Sequence, residues 1–389
     1  MKIIDRIYQR HRTSPRHCTS PRHCTSPRHR TSPRHCGLDP QSPEYKNLRV
    51  KPAMTQGITW VTASILLLVV VVWSASVGAA SVTAKDVILV IGATVLPFLD
   101  IEASEFARTV IVELRLPRIL MAVVGGIGFA VSGAAMQGIL RNPLVSPFTI
   151  GVSSAASFGA ALAIVLNRGI IGSADWLVVT NAFLFALLAT FMVYGIARLK
   201  GTHAGTIILA GIAIMYFFSA FTSLLQYVAA DNQLRGIVHW MFGNLAIANY
   251  QNILIVSIVL LVCVPIIIKQ SWGLNALADG DETAISLGVN PRRLRVMIML
   301  LSTAVAAIII CFTGIIGFIC LVAPHIARLL TGNDHRLLIP LSALTGALLL
   351  LTADTAGRTI ISPVEIPVGI VTSFIGVPLF LWLLLRMKS

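Results

Sequence analysis

The apolar residues of this chain arrive in long blocks, and nothing else in it constrains the fold so strongly. A bilayer core needs about 20 apolar residues per spanning helix, somewhat fewer when a helix is short or broken. Ten blocks qualify: Ile58–Val77, Ile119–Gly138, Thr149–Leu166, Trp176–Ala197, Thr206–Ala229, Ile253–Ile268, Val296–Cys311, Ile315–Leu330, Leu338–Ala356 and Ile366–Leu385. With 56% hydrophobic and 12% charged residues, the chain is far more apolar than a soluble domain. It reads as an all-α, polytopic membrane protein with about ten transmembrane helices. Val87–Phe98 is apolar but short and is followed by Asp100, Glu102 and Glu105, so it reads as an external re-entrant or surface piece.

The formal net charge of +14 raises nucleic acid as a partner, but its distribution argues against that. Met1–Ala53 carries twelve Lys/Arg against Asp5, Asp39 and Glu44, a net +9, which leaves the body only mildly basic. Within that tail, Thr-Ser-Pro recurs at 13, 19, 25 and 31, each followed by Arg-His. Such a Pro-rich, charged repeat cannot bury a core and is expected to be disordered. Its evenly spaced His and Cys do not match a zinc pattern. It also lacks the apolar region and cleavage site of a signal peptide. Residues 1–53 are therefore expected to form a basic low-complexity tail, with Met54 as the natural start and 54–389 as the transmembrane domain. Cys18, Cys24 and Cys36 belong to the repeat, while Cys263, Cys311 and Cys320 fall in apolar runs as small hydrophobes, so no disulfide framework is indicated.

A cytosolic N-terminus places eleven Lys/Arg on the inner side beyond the tail and seven on the outer side, four of these in one long segment where the positive-inside rule is weak. Both termini are expected to face the cytosol. The polar island Gly273–Arg295, GLNALADGDETAISLGVNPRRLR, then falls inside. Leu274, Leu277 and Ala278 recur at helical spacing, Gly280 breaks the run, Asp281 is placed to cap a second piece, and Gly288 ends it. Ala284, Ile285 and Leu287 give the second piece an apolar side next to Asp281 and Glu282. Asn290-Pro291 follows as a turn, then Arg292, Arg293 and Arg295. Taken alone, the island reads first as an ordinary cytosolic loop whose apolar residues pack on the membrane domain, and as a docking knob second.

Polar groups inside spans are functional suspects because hydrocarbon penalises them. Gln137, Gln226, His325 and Asp354 qualify. Cross-linking of helices is the competing role for the first three, and a local pair with Arg358, four residues on, for Asp354. Such groups are sparse for a proton-coupled carrier, and there is no G-x-S-x-G, H-E-x-x-H or intramembrane aspartate pair. G-x-x-x-x-G-K-[ST] is also missing, so this chain has no P-loop ATPase of its own. Gly125, Gly126, Gly128 and Gly133 allow close helix contact. Arg141-Asn142-Pro143 and Pro147 force a turn. Pro324, within Gly314–Arg328, suits a short or broken helix.

From about Ile58 onward the chain resembles the FecCD family, the permease subunits of binding-protein-dependent ABC importers for iron-siderophores, haem and vitamin B12. The resemblance rests on LRLPRIL at 114–120, GFAVSGAAMQGILRNPLVSPFTIG at 128–151, ILAGIAI at 208–214, ISLGVNPRRLR at 285–295, GIIGFICLVAPHIARLL at 314–330, DHRLLIP at 334–340 and EIPVGIVTSFIGVPLFLWLL at 365–384. It implies a non-enzymatic, ten-helix subunit in the cell's inner membrane without a cofactor or bound metal. Its implied partners are a second permease copy, a separate ABC ATPase dimer, and a periplasmic or lipid-anchored substrate-binding protein.

By the same resemblance the island is the coupling element seated in the ATPase, through Leu277, Asp281, Glu282, Ile285, Leu287, Gly288, Arg292 and Arg293. Arg115, Arg118 and Arg358 match positions that receive carboxylates of the binding protein, a role suited to the bidentate guanidinium. Interfacial anchoring is the competing role for Arg115 and Arg118. Asn142, Leu144 and His203 match the gate segments, although His203, in KGTHAG at 200–205, departs from the small hydroxyl residues expected there. The function this implies is the translocation pathway of an ATP-driven importer of a ferric siderophore, or of haem or cobalamin. A proton-coupled secondary carrier of a small solute, using His325 and Asp354, is the rival reading.

Overall fold

The computed structural model describes residues 53–78, 83–95, 104–166, 174–361 and 363–386. The repeat-bearing tail lies outside the described residues, as do 96–98 of the short apolar block. Fourteen helices follow in order: α1 (Ala53–Ser76), α2 (Ala84–Val95), α3 (Glu105–Leu140), α4 (Val152–Leu166), α5 (Ala174–Lys200), α6 (Ala204–Val228), α7 (Asp231–Met241), α8 (Tyr250–Lys269), α9 (Ser271–Ala278), α10 (Asp281–Ser286), α11 (Pro291–Thr313), α12 (Ile319–Thr331), α13 (His335–Thr359) and α14 (Val368–Arg386). No strand occurs among the described residues.

Seven of these are long and apolar enough to cross a membrane, and α4, α12 and α14 are shorter apolar helices. Together they coincide with the ten blocks of the sequence. The second block is longer than its apolar core suggests. α3 begins at Glu105 and passes through a π-helical turn, Val110–Arg115, before the apolar stretch starts. A π turn withdraws carbonyls from the regular ladder. Tyr250 supplies a donor there, its hydroxyl reaching the Val112 carbonyl at 2.6 Å. The eighth block is short, as Pro324 suggests, but it does not break at that residue: 314–318 are non-helical, and Pro324 lies within the 13-residue α12. The amphipathic helix α7, which none of the apolar blocks marks, lies between α6 and α8.

α3 is the central helix. Its glycines allow backbone-to-backbone contact with two neighbours and close side-chain packing against a third. A Cβ on Gly126 would strike the Gly346 carbonyl of α13, one on Gly133 the Cys320 carbonyl of α12, and one on Gly128 the side chains of Ile309 and Val305 in α11. Small residues do this work in membranes because lipid is as apolar as leucine and only close packing favours one helix over another. Outer helices behave differently. α1, α6, α8 and α14 present large exposed apolar residues such as Leu68, Tyr216, Leu261 and Phe374, as expected of faces solvated by lipid.

Gly126→Val is expected to destabilise the bundle by about 1–3 kcal/mol or more through overpacking. Gly195→Ala in α5, where nothing lies within 4 Å of the added methyl, is expected to be neutral. Thermal unfolding of both variants in detergent checks the contrast.

Candidate functional site

The island folds as two short helices, α9 and α10, hinged at Gly280, whose φ of +126° is open to glycine but strained for other residues. α9 is held inward, with Leu274 and Leu277 fully buried. Leu277 therefore packs the island onto the membrane core and is not an outward contact. α10 turns the other way. Ile285 and Leu287 are 62% and 66% exposed, and Glu282, Gly288, Arg292 and Arg293 are exposed beside them. The Asn290-Pro291 pair starts α11 rather than forming a free turn. The Asn290 side chain accepts from the Arg293 amide at 3.1 Å, with Pro291 at the first helical position.

Asp281 does not cap α10 as its position suggests; Gly280 occupies the cap and the carboxylate is used elsewhere. Arg295 grips it with both terminal nitrogens, at 2.6 and 2.8 Å, while its Nε donates to the Ile139 carbonyl near the end of α3 at 3.1 Å. Arg141 adds a third contact, 3.0 Å from Asp281 Oδ1. Bonding to Arg295, with the Arg141 charge nearby, lowers the Asp281 pKa. A bidentate ion pair, the strongest common type, thus ties α10 to α11, and the Arg295–Ile139 bond and Arg141 carry the link on to α3.

The gate candidates surround the same place. Arg141 ends α3 in a left-handed conformation (φ +48°). Asn142 follows, its side chain accepting from the Leu144 amide at 2.9 Å, and Leu144 is 41% exposed. His203, at the start of α6, lines a cleft of about 610 Å³ with Asp281, Ile285, Gly288 and Arg292. Gate and coupling candidates, far apart in sequence, therefore share one end of the bundle. A second polar knot lies beside them. Asp334 is bound by Arg336, down to 2.6 Å, and by the Asn275 amide of α9 at 2.7 Å, which lowers its pKa to about 2.

At the opposite end, the three arginines expected to face a docking partner are buried, with 6–7% of each exposed. Arg115 donates to the Ala75 carbonyl at 2.6 Å. Arg358 donates to the carbonyls of Ser74 and Val77, both at 3.2 Å, and to the Ser74 hydroxyl at 2.7 Å. These carbonyls end α1, so two of the arginines complete a helix C-terminus that has no partners of its own. Arg118 binds Asp354 at 2.8 Å and Glu365 at 2.7 Å. Asp354 also lies 3.2 Å from Arg358, the local pair its spacing allows. Among these groups Glu365 is the accessible one, its side chain 50% exposed.

Gln137 takes the helix-linking role, its carbonyl accepting from Arg328 of α12 at 3.0 Å. Gln226 contacts the Met241 sulfur at 3.4 Å. Sequence reasoning missed three members of these networks. Arg295 was visible only as part of a basic run, Arg141 only as a turn, and Glu365 lay in a quoted motif without a role. Pairs formed across 14 to 247 residues leave no periodic trace.

Comparison with known proteins gives one consistent picture. Residues 66–386 match the model of the FecCD transport family. An ABC transporter permease protein of Methanocaldococcus jannaschii is 46% identical over 286 residues, covering 72% of this chain and 82% of its own length. The hemin transport system permease protein HmuU of Yersinia pestis is 37% identical over 344 residues, 88% of this chain and 98% of its own. A solved inward-facing structure of an ABC transporter assigned to the metal-chelate type superposes with a TM-score of 0.74 at 33% identity, covering 85% and 99% of the two chains.

Two outcomes follow from the charge networks. Asp354→Asn leaves Arg118 and Arg358 without their shared buried counter-charge and is expected to cost on the order of 3 kcal/mol in thermal unfolding. Asp281→Asn is expected to speed amide exchange across 281–288 by roughly tenfold, the equivalent of one charge-assisted bond. Because the native Asp281 pKa is lowered, the clamp is complete at neutral pH. It weakens as pH falls below the unfolded carboxylate value of about 3.9 and through the native one, which exchange at stepped pH checks.

Proposed function

Because the chain belongs to the FecCD transport family, matching it over residues 66–386, we propose that it forms the membrane pathway through which an ATP-driven importer takes up a ferric siderophore. Haem and cobalamin are the next candidates. The chain is the permease subunit, and ATP hydrolysis belongs to a separate subunit. The observation that carries the coupling role is α10: a short helix clamped by Asp281–Arg295 at its base and offering Ile285, Leu287 and Gly288 outward. A rigidly held apolar knob transmits a push that a loose loop would absorb.

In this reading the island end lies in the cytosol of an inner-membrane protein with both termini inside, in keeping with Arg141, Arg292, Arg293, Arg328 and Arg336 gathered there. Two copies of the chain enclose the pathway. ATP binding in the attached ATPase dimer moves α10, and with it Arg141, Asn142, Leu144 and His203 at the gate. A binding protein docks at the other end. There Glu365 already occupies Arg118, so a partner carboxylate exchanges with Glu365, and Arg115 and Arg358 hold the surface in shape from below.

The rival carrier needs Asp354 free to change protonation. Its side chain is fully buried and committed to ion pairs with Arg118 at 2.8 Å and Arg358 at 3.2 Å, so it serves as a structural link between helices.

Proteoliposomes containing this chain, its ATPase and its binding protein are expected to accumulate labelled ferric siderophore only with ATP, and haem or cobalamin more weakly. Uptake without the ATPase that collapses with the proton gradient would overturn the reading. Leu287→Asp is expected to cut retention of the ATPase tenfold or more, about 1.4 kcal/mol, with insertion unchanged. Undiminished retention would remove α10 from the contact.

A further inference from the structure

A cavity of about 500 Å³ adjoins the gate turn at the island end. It opens between the end of α3, the end of α12 and the start of α13, and its lining contains Gln137, Arg141, Asn142, His325, Arg328 and Asn333. No carboxylate lines it. The nearby acids are turned away: Asp281 is held by Arg295 and Arg141, and Asp334 by Arg336 and Asn275.

Arg328 is the centre of this cavity. It is half-buried, and among the described residues no carboxylate lies within ion-pair distance of it. Its partner is neutral, the Gln137 side-chain carbonyl at 3.0 Å. A guanidinium cannot accept, so this bond fixes the amide orientation and directs the Gln137 NH2 group away from Arg328. That nitrogen, on a side chain 97% buried, has no partner. An orphaned donor beside an uncompensated cation is costly unless one ligand satisfies both. The ligand must accept hydrogen bonds, carry negative charge and be small enough for the cavity.

We propose that this cavity binds phosphate or a similar tetrahedral oxyanion, taken by Arg328 and the Gln137 amide with Arg141 at its rim. The group is supplied either as a free anion or as the head of an anionic lipid. Bound there, it ties α12 to the gate turn after α3. Guanidinium forks suit the geometry of such oxygens.

The test uses the full-length chain and needs no knowledge of its transport substrate. In delipidated detergent, phosphate at constant ionic strength is expected to raise the melting temperature saturably, and 32P-phosphate to bind at one site per chain in equilibrium dialysis. Gln137→Glu supplies an internal counter-charge to Arg328. It is expected to melt no lower than the parent and to lose at least tenfold in phosphate affinity. Arg328→Gln is expected to lose binding as well, but the first variant keeps the test valid if the second fails to fold. Where free phosphate is inert, nanodiscs of phosphatidylglycerol against phosphatidylcholine test the lipid source. Stabilisation by phosphatidylglycerol that disappears in Gln137→Glu supports the site. No response to either source overturns the proposal and leaves Arg328 to a protein carboxylate. Equal effects of phosphate and chloride, or a response unchanged in Gln137→Glu, overturn it too.

Discussion

The structure depends on how closely the backbones of α12 and α13 approach α3. In water, burying apolar side chains would draw the helices together, but in lipid that force is missing and contact itself must select the arrangement. Gly126 against Gly346 and Gly133 against Cys320 bring polar backbone next to backbone, where any side chain would intervene. Around this nucleus packing is dense, with Phe129, Met136 and Ile139 of α3 fully buried. At the periphery, α6 and α8 keep broad apolar faces exposed.

The charges at the two ends finish what this packing begins. A helix leaves its last carbonyls unpaired, and arginines reach across to take them: Arg115 and Arg358 for α1, Arg295 for α3. Arg358 and Arg295 then have donors to spare for a carboxylate, so Asp354 and Asp281 complete their sites. Removing one carboxylate from such a cluster costs far more than the net worth of the pair, since the cations stay behind in a poorly solvated place. Arginine at these positions therefore answers first to the helix ends. That explains why Arg115 and Arg358 are found beneath the surface, while Arg118 is held there by Asp354 and Glu365.

How much of this was legible in the sequence follows from the range of each signal. The ten spans were, because a run of twenty apolar residues is a local fact. The two-helix form of the island was too, through Gly280 and the spacing of Leu274 and Leu277. The N-terminal extension of α3 was hidden by Glu105, Arg108 and Glu113, which interrupt the apolar pattern but not the helix. α7 was hidden by its short amphipathic run. Side-chain partners were the least legible. Asp281 has the sequence position of a cap, and only the arrival of Arg295 from the next helix changes its role. Leu277 and Leu287 look alike in the sequence. Gly280 turns the chain between them, so that one enters the core and the other leaves it.

The same contacts decide which parts can move. Sliding α3 by one turn along α13 would bring Ala122 or Ala130 opposite Gly346, and the added Cβ would meet a carbonyl where a glycine now lies. The pair is therefore locked in register and moves as one body. Arg118 and Arg141 sit on the apolar length of α3 about 35 Å apart at 1.5 Å per residue, one bound to Asp354 of α13 and the other to Asp281 of α10. A displacement of α10 is thus handed to the α3–α13 body through Arg141 and Arg295 and reaches the Arg118 cluster without a flexible joint between. The 314–318 segment before α12 offers no slack, with Gly314 against the Trp240 carbonyl and the Ile315 carbonyl against Gly243 and Gly369, so relative motion is least opposed along the faces of α6 and α8, where Tyr216 and Leu261 stay exposed.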